Sequence, residues 1–212
     1  MVLGSEQLGL SVRIATVVVP VAVYFLILGL LNSRRHPQML TGRLDFVLMF
    51  AALGPVFILP TVEYMSLSPL GTVALVLVVA AGIALLAPRG GTWVVYNLQS
   101  SEARSAVVRA LGALGVDFEA TRLGLRLGEP GATVSIRSFS LLRNVSIGLR
   151  GGDKDLSRRF QAELSRTLGV MDAETSPAAM SFLLVATALL VAPLSLVAHR
   201  VPEIVRILTD LL

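Results

Sequence analysis

LGTVALVLVVAAGIALLAPRGGTWVVYNLQ, residues 70–99, changes character part-way along. Its first eighteen residues, 70–87, are apolar without a charge. That is membrane length, since a transmembrane helix needs about 20 mostly apolar residues, with a tolerated range of about 17–25. After Pro88-Arg89-Gly90-Gly91 the pattern alternates: TWVVYNLQ (92–99) has the period-two signature of a strand. A membrane region ends and a water-facing fold begins within this stretch. The rest of the chain sorts to either side of it.

Composition agrees with the membrane half. The 212 residues are 54% hydrophobic and only 15% charged, with a mean hydropathy of +0.77. Soluble domains run at about 45–50% apolar and about 25% charged. Four stretches have spanning length: 14–31, 46–62, 70–87 and 178–198, and none contains Asp, Glu, Lys, Arg or His. The first resembles a signal peptide only superficially. Its apolar run is too long, and no small-residue cleavage site follows before Arg34.

Basic residues set the orientation, because Lys and Arg in short loops stay in the cytoplasm. NSRRHPQMLTGRLD (32–45) carries Arg34, Arg35 and Arg43, whereas EYMSLSP (63–69) carries no basic residue and implies a tight helical hairpin. Arg89 follows the third span. The first and third connections are therefore expected in the cytoplasm and both termini outside, with Arg200 and Arg206 on the opposing side of the rule. Among 18 basic residues only Lys154 is lysine, a bias that fits a GC-rich genome and hence the inner membrane of a bacterium.

Downstream of residue 91 the periodicity is that of an α+β unit occupying 92–170. Strand patterns are expected at 92–99, 116–127 (one long strand or two), 132–140 and 142–150. Helix patterns fill 100–115, with Ser101 as N-cap and Gly115 as stop, and 152–169, with Asp153 as cap and Gly169 as stop. Gly128-Glu129-Pro130-Gly131 reads as a type II turn. The order β-α-β-β-β-α predicts two helices on one face of an antiparallel sheet, a ferredoxin-like sandwich. About 80 residues suffice for such a core. The fold class is thus a multi-pass membrane protein: 1–91 with three spans, a cytoplasmic domain at 92–170, a linker and fourth span at 171–200, and a tail at 201–212.

Alternation assigns faces. Val94, Tyr96, Leu98, Leu123, Leu125, Leu127, Val134, Ile136, Val145, Ile147 and Leu149 are expected against the helices. Trp93, Val95, Asn97, Arg122, Arg126, Ser135, Arg137, Phe139, Asn144, Ser146 and Arg150 are expected on the open face. That face would carry Arg122, Arg126, Arg137 and Arg150 with Trp93. Together with Arg34, Arg35 and Arg43 these are the candidate contacts to a partner or to anionic lipid. Solvation alone explains a polar sheet face. Docking against an acidic partner or anionic headgroups is the second reading, and anionic lipid would add about 1 kcal/mol per basic residue near the membrane surface. Single-stranded nucleic acid fits poorly, because the face lacks a run of adjacent aromatics.

VPEIVRILTDLL (201–212) is amphipathic, with Val201, Ile204, Val205, Leu208, Leu211 and Leu212 on one side. It suits the membrane interface or a partner subunit. Chemistry-bearing motifs are missing. The spans hold no ionisable group, which argues against a proton-coupled pump. There is no cysteine, and His36 and His199 lie at opposite membrane boundaries in the expected topology. No phosphate-loop, dinucleotide, zinc-protease or hydrolase string occurs. Asp45 and Glu63 flank the second span, too far apart for acid–base work, and Pro20, Pro55, Pro60 and Pro193 kink the spans. No catalytic, cofactor or metal site is expected. The sequence points to a non-catalytic subunit among other integral membrane subunits. The alternatives are a small transporter or channel for an uncharged or lipid-like solute, and a membrane-tethered sensor of an anionic ligand.

Overall fold

The computed structural model describes residues 2–88, 90–121, 124–128, 131–139, 144–174, 177–198, 201–202 and 209. In chain order its elements are α1 (Val2–Asn32), β1 (Gln38–Thr41), α2 (Gly42–Tyr64), α3 (Pro69–Leu86), β2 (Thr92–Tyr96), α4 (Ser100–Ala113), β3 (Phe118–Thr121), β4 (Gly124–Leu127), β5 (Thr133–Phe139), β6 (Asn144–Arg150), α5 (Lys154–Gly169) and α6 (Pro177–Ala198). They form two compact units. One comprises residues 1–27, 48–85 and 182–212, the other residues 28–47 and 86–181.

The first unit is helical. Val12–Asn32 of α1, all of α2 and all of α3 are long and apolar enough to cross a membrane. α6 covers the fourth expected span by position, and its described apolar segment, Pro177–Val191, is shorter than the other three. Small buried residues, Ala22, Ala52 and Ala186, mark the close helix contacts. Phe25 stacks on Phe182 with ring centroids 6.0 Å apart. The α2–α3 connection is tight: Leu67 N–H donates to the Val62 carbonyl. The Ser68 hydroxyl then accepts from Gly71 N–H and caps α3.

The second unit is an α+β sandwich. Its antiparallel sheet has six strands in the order β1-β2-β6-β5-β4-β3. α4 and α5 cover one face, because both carry an apolar stripe at helical spacing. Ala103, Val107, Ala110 and Leu111 of α4 are buried with Leu156, Phe160, Leu164 and Leu168 of α5. Opposite them lie Trp93, Val95, Leu125, Leu127, Val134, Val145, Ile147 and Leu149. Asp153 caps α5 as expected, accepting from Leu156 N–H. The N-cap of α4 lies two residues before the expected Ser101: it is Gln99, whose N–H donates to the Glu102 carboxylate at 3.0 Å. Its end is the expected glycine stop. Gly115 takes φ +65, and Val116 N–H closes on the Leu111 carbonyl.

One feature settles a choice the sequence left open, and two differ from the sequence reading. Residues 116–127 are two strands, the hairpin pair β3 and β4, with Phe118 opposite Leu127 and Thr121 opposite Gly124. With that extra strand, the β2-α4-β3 crossover passes over three strands, β6, β5 and β4, where a ferredoxin-like crossover passes over one. Finally, the sheet has a strand that the sequence reading placed in a connecting loop. β1 pairs antiparallel with β2, Gln38 opposite Tyr96 and Thr41 opposite Trp93.

Candidate functional site

Two regions carry the candidate residues: the 32–45 connection and the open face of the sheet. The connection is anchored through its backbone. Asn32, fully buried at the end of α1, donates from Nδ2 to the Leu28 carbonyl at 2.9 Å and accepts from Asn97 N–H at 3.2 Å. Asn97 sits at φ +57, a left-handed conformation that asparagine tolerates. Its Nδ2 donates to the Arg34 carbonyl at 3.0 Å. The Arg35 carbonyl accepts from Ala173 N–H at 2.7 Å, and His36 Nδ1 lies 3.0 Å from the Met171 carbonyl. His36 therefore ties the connection to the segment leaving α5, a structural duty that needs no bound ligand. The side chains of Arg34, Arg35 and Arg43 stay exposed.

β1 then runs along β2, with Met39 packed on the core. The Thr41 hydroxyl accepts from Leu44 N–H and starts α2. Gly42 permits the corner, because a Cβ there would lie 3.0 Å from the Thr92 Cγ2. One turn on, the Tyr96 hydroxyl donates to the Asp45 carboxylate. Asp45 and Glu63 thus have separate partners. Glu63 pairs with Arg13 at 2.8 Å, a contact that the sequence reading missed.

The face assignment holds on three strands and reverses on one. Arg126, Arg137 and Arg150 are exposed on the side away from the helices, as expected from alternation, and Phe139 is 55% exposed on the same side. On β2 the parity is the opposite of that expected. Trp93 is not an open-face contact: it is 2% exposed and packs on Phe160 with centroids 5.6 Å apart. Val95 joins it in the core, while Val94 and Tyr96 take the open side. Alternation failed here because β2 is buried on both faces, so each alternate set is apolar. Asn97, expected to be exposed, is buried. Arg122 lies outside the described residues, as do Ile204, Val205, Leu208, Leu211 and Leu212 of the tail; Val201 is described and exposed.

Cross-strand register decides which arginines meet. Arg150 lies opposite Thr133, Thr133 opposite Arg126, and Arg126 opposite Glu119. Arg126 and Arg150 are thus two strand spacings apart, about 9.6 Å, in a row that also holds an acid. Arg126 lines a depression of about 240 Å³ together with Asp117 and Glu119, so two carboxylates offset its charge there. Arg137 lies opposite Ser146 in a different row. Among the described residues, the arginines of this face spread over two rows.

Comparison with protein-family models, characterised proteins and solved structures finds no match.

Within the helical unit, α1, α2 and α3 line an open groove of about 320 Å³, with Thr16, Gly54, Pro55, Ile58, Val76 and Ile83 among its walls. Its hydroxyl group, on Thr16, donates to the Val12 carbonyl, so the groove offers an apolar wall. Among the described residues no group of three or more His, Asp or Glu side chains gathers as a metal site.

Proposed function

We propose that this chain is a non-catalytic, multi-pass membrane subunit that scaffolds or anchors a larger membrane complex through its helices and its α+β domain. The observation that carries the reading is β1. A strand drawn from the connection between two apolar helices is hydrogen-bonded along the domain's sheet. Flanking links from Asn97 to Asn32 and from Ala173 to Arg35 add to it. A plain linker would need none of these bonds; a connection that forms part of the anchored domain has them. In this reading α6 is a fourth span, the domain is cytoplasmic, both termini are outside, and the membrane is the inner membrane of a bacterium. The arginines of 32–45 and the apolar character of 178–198 support that topology.

Extraction from the native membrane in mild detergent, followed by mass spectrometry of what co-purifies, tests the proposal. Stoichiometric integral membrane partners are the expected result. A lone monomer or homo-oligomer overturns it. The apolar groove of α1, α2 and α3 favours one alternative, a carrier of a lipid-like solute. Flux of such a solute through the reconstituted chain by itself would favour that alternative. A sensor of a small anion has less support, because Arg126 and Arg150 stand two strands apart in one row and Arg137 in another.

A further inference from the structure

The open sheet face combines three features that the subunit reading does not use. First, it is tethered at the start of an apolar helix long enough to cross a membrane. Tyr96 on this face donates to Asp45, and Asp45 immediately precedes the apolar run that begins at Phe46. Second, Phe139 lies in the same cross-strand row as Tyr96: Tyr96 opposes Asn144, and Asn144 opposes Phe139. Two strand spacings, about 10 Å, separate the exposed phenyl ring's backbone from that of the tethered tyrosine. An exposed phenylalanine flanked by arginines suits the membrane interface, where Phe, Trp and Leu bury on the apolar side with Lys and Arg beside them. Third, the exposed charge on the rest of the face is mainly basic. Arg137 follows two residues before Phe139 on the same side and faces Ser146; Arg150 faces Thr133. Arg126 adds a third guanidinium, offset by Glu119.

We infer that this face lies on the membrane surface, with Phe139 at the headgroup–acyl boundary and Arg137 and Arg150, aided by Arg126, on the phosphates of anionic lipids. The interaction concerns lipid rather than a protein partner, and it holds whichever subunits the spans engage. Charge complementarity selects the occupant. Arg137 and Arg150 stand about 14 Å apart along the strand direction, and Arg126 and Arg150 about 9.6 Å apart across the strands, spacings that match separate headgroups better than one small anion. Each such basic residue raises the preference for anionic lipid about fivefold.

The test uses the full chain in nanodiscs of phosphatidylcholine, alone or mixed with phosphatidylglycerol. Phe139→Trp places an indole on the face, and the unaltered chain, with only buried Trp93, serves as the blank. Spin-labelled lipids with the nitroxide near the headgroup should quench the new indole, more strongly in the mixed discs and less at high salt. Arg137→Gln with Arg150→Gln should abolish the difference between lipids while leaving Trp93 emission, and so the fold, unchanged. Equal quenching in both lipids with and without the arginines overturns the inference. So does relief of quenching by millimolar inorganic phosphate, which would assign the arginines to a soluble anion. An indole shielded only when co-purified protein is present would assign the face to a partner and overturn it too. A chain that fails to enter the discs contradicts the membrane reading itself, a result distinct from each of these.

Discussion

At the residue scale, two glycines in the sheet unit predict opposite signs for the same substitution. Gly124 sits at φ +156, and a Cβ there would lie 1.9 Å from the Val134 carbonyl oxygen. Gly124→Ala should therefore break the β4–β5 pairing and cost on the order of 3 kcal/mol, as overpacking combined with an unfavourable backbone does. Gly112, inside α4, has nothing within 4 Å of the corresponding point. Gly112→Ala should stabilise by about 0.5–1 kcal/mol. Thermal unfolding of the full chain in detergent reads both, as a fall and a rise in Tm. The buried asparagines give a third measurement. Asn32→Ala leaves the buried Asn97 N–H without its side-chain acceptor, which should cost about 1–3 kcal/mol. These asparagines were not legible as a pair. They stand 65 positions apart in the chain, and each alone reads as an ordinary polar residue at the end of an element.

At the scale of elements, the amphipathic helices were legible and the edge strand was not. α5 carried its own instructions: a capping Asp153, then Leu156, Phe160, Leu164 and Leu168 at one-turn spacing. β1 has four residues, Gln38–Thr41, too few for a period-two pattern to stand out. It becomes a strand because β2 offers an unpaired edge, and bonding to that edge satisfies backbone groups on both sides. The side chains of the arginines nearby stay exposed, whereas the attachment runs through backbone carbonyls and Met39. Replacing Arg34, Arg35 and Arg43 together with Gln should therefore leave proteolysis of the 33–37 turn unchanged. Met39→Asp puts a charge against the core and should release β1, speeding that cleavage and hydrogen exchange in β2 by tenfold or more for a loss of about 1.4 kcal/mol. Equal behaviour of the two variants would mean that the strand contributes no attachment.

At the scale of the whole molecule, the natural absence of cysteine makes the topology directly measurable. Met65→Cys, in the exposed α2–α3 turn, should react with an impermeant maleimide from outside the cell. Ser165→Cys, exposed on α5, should react only after the cytoplasmic side is opened. Labelling of both from one side would reject the expected orientation. What the sequence determined by itself is everything that rests on local composition and period: the apolar helices, the switch to an α+β unit at residue 92, and the inward stripes of α4, α5, β4, β5 and β6. These survive because burial of an apolar face is dictated within one turn or one strand. Tertiary structure alone decided the rest. The parity of β2, the pairing of Asn32 with Asn97, the strand order and the recruitment of β1 each depend on which edge or face another segment happens to cover. That is settled by hydrogen bonds and packing between residues far apart in the chain.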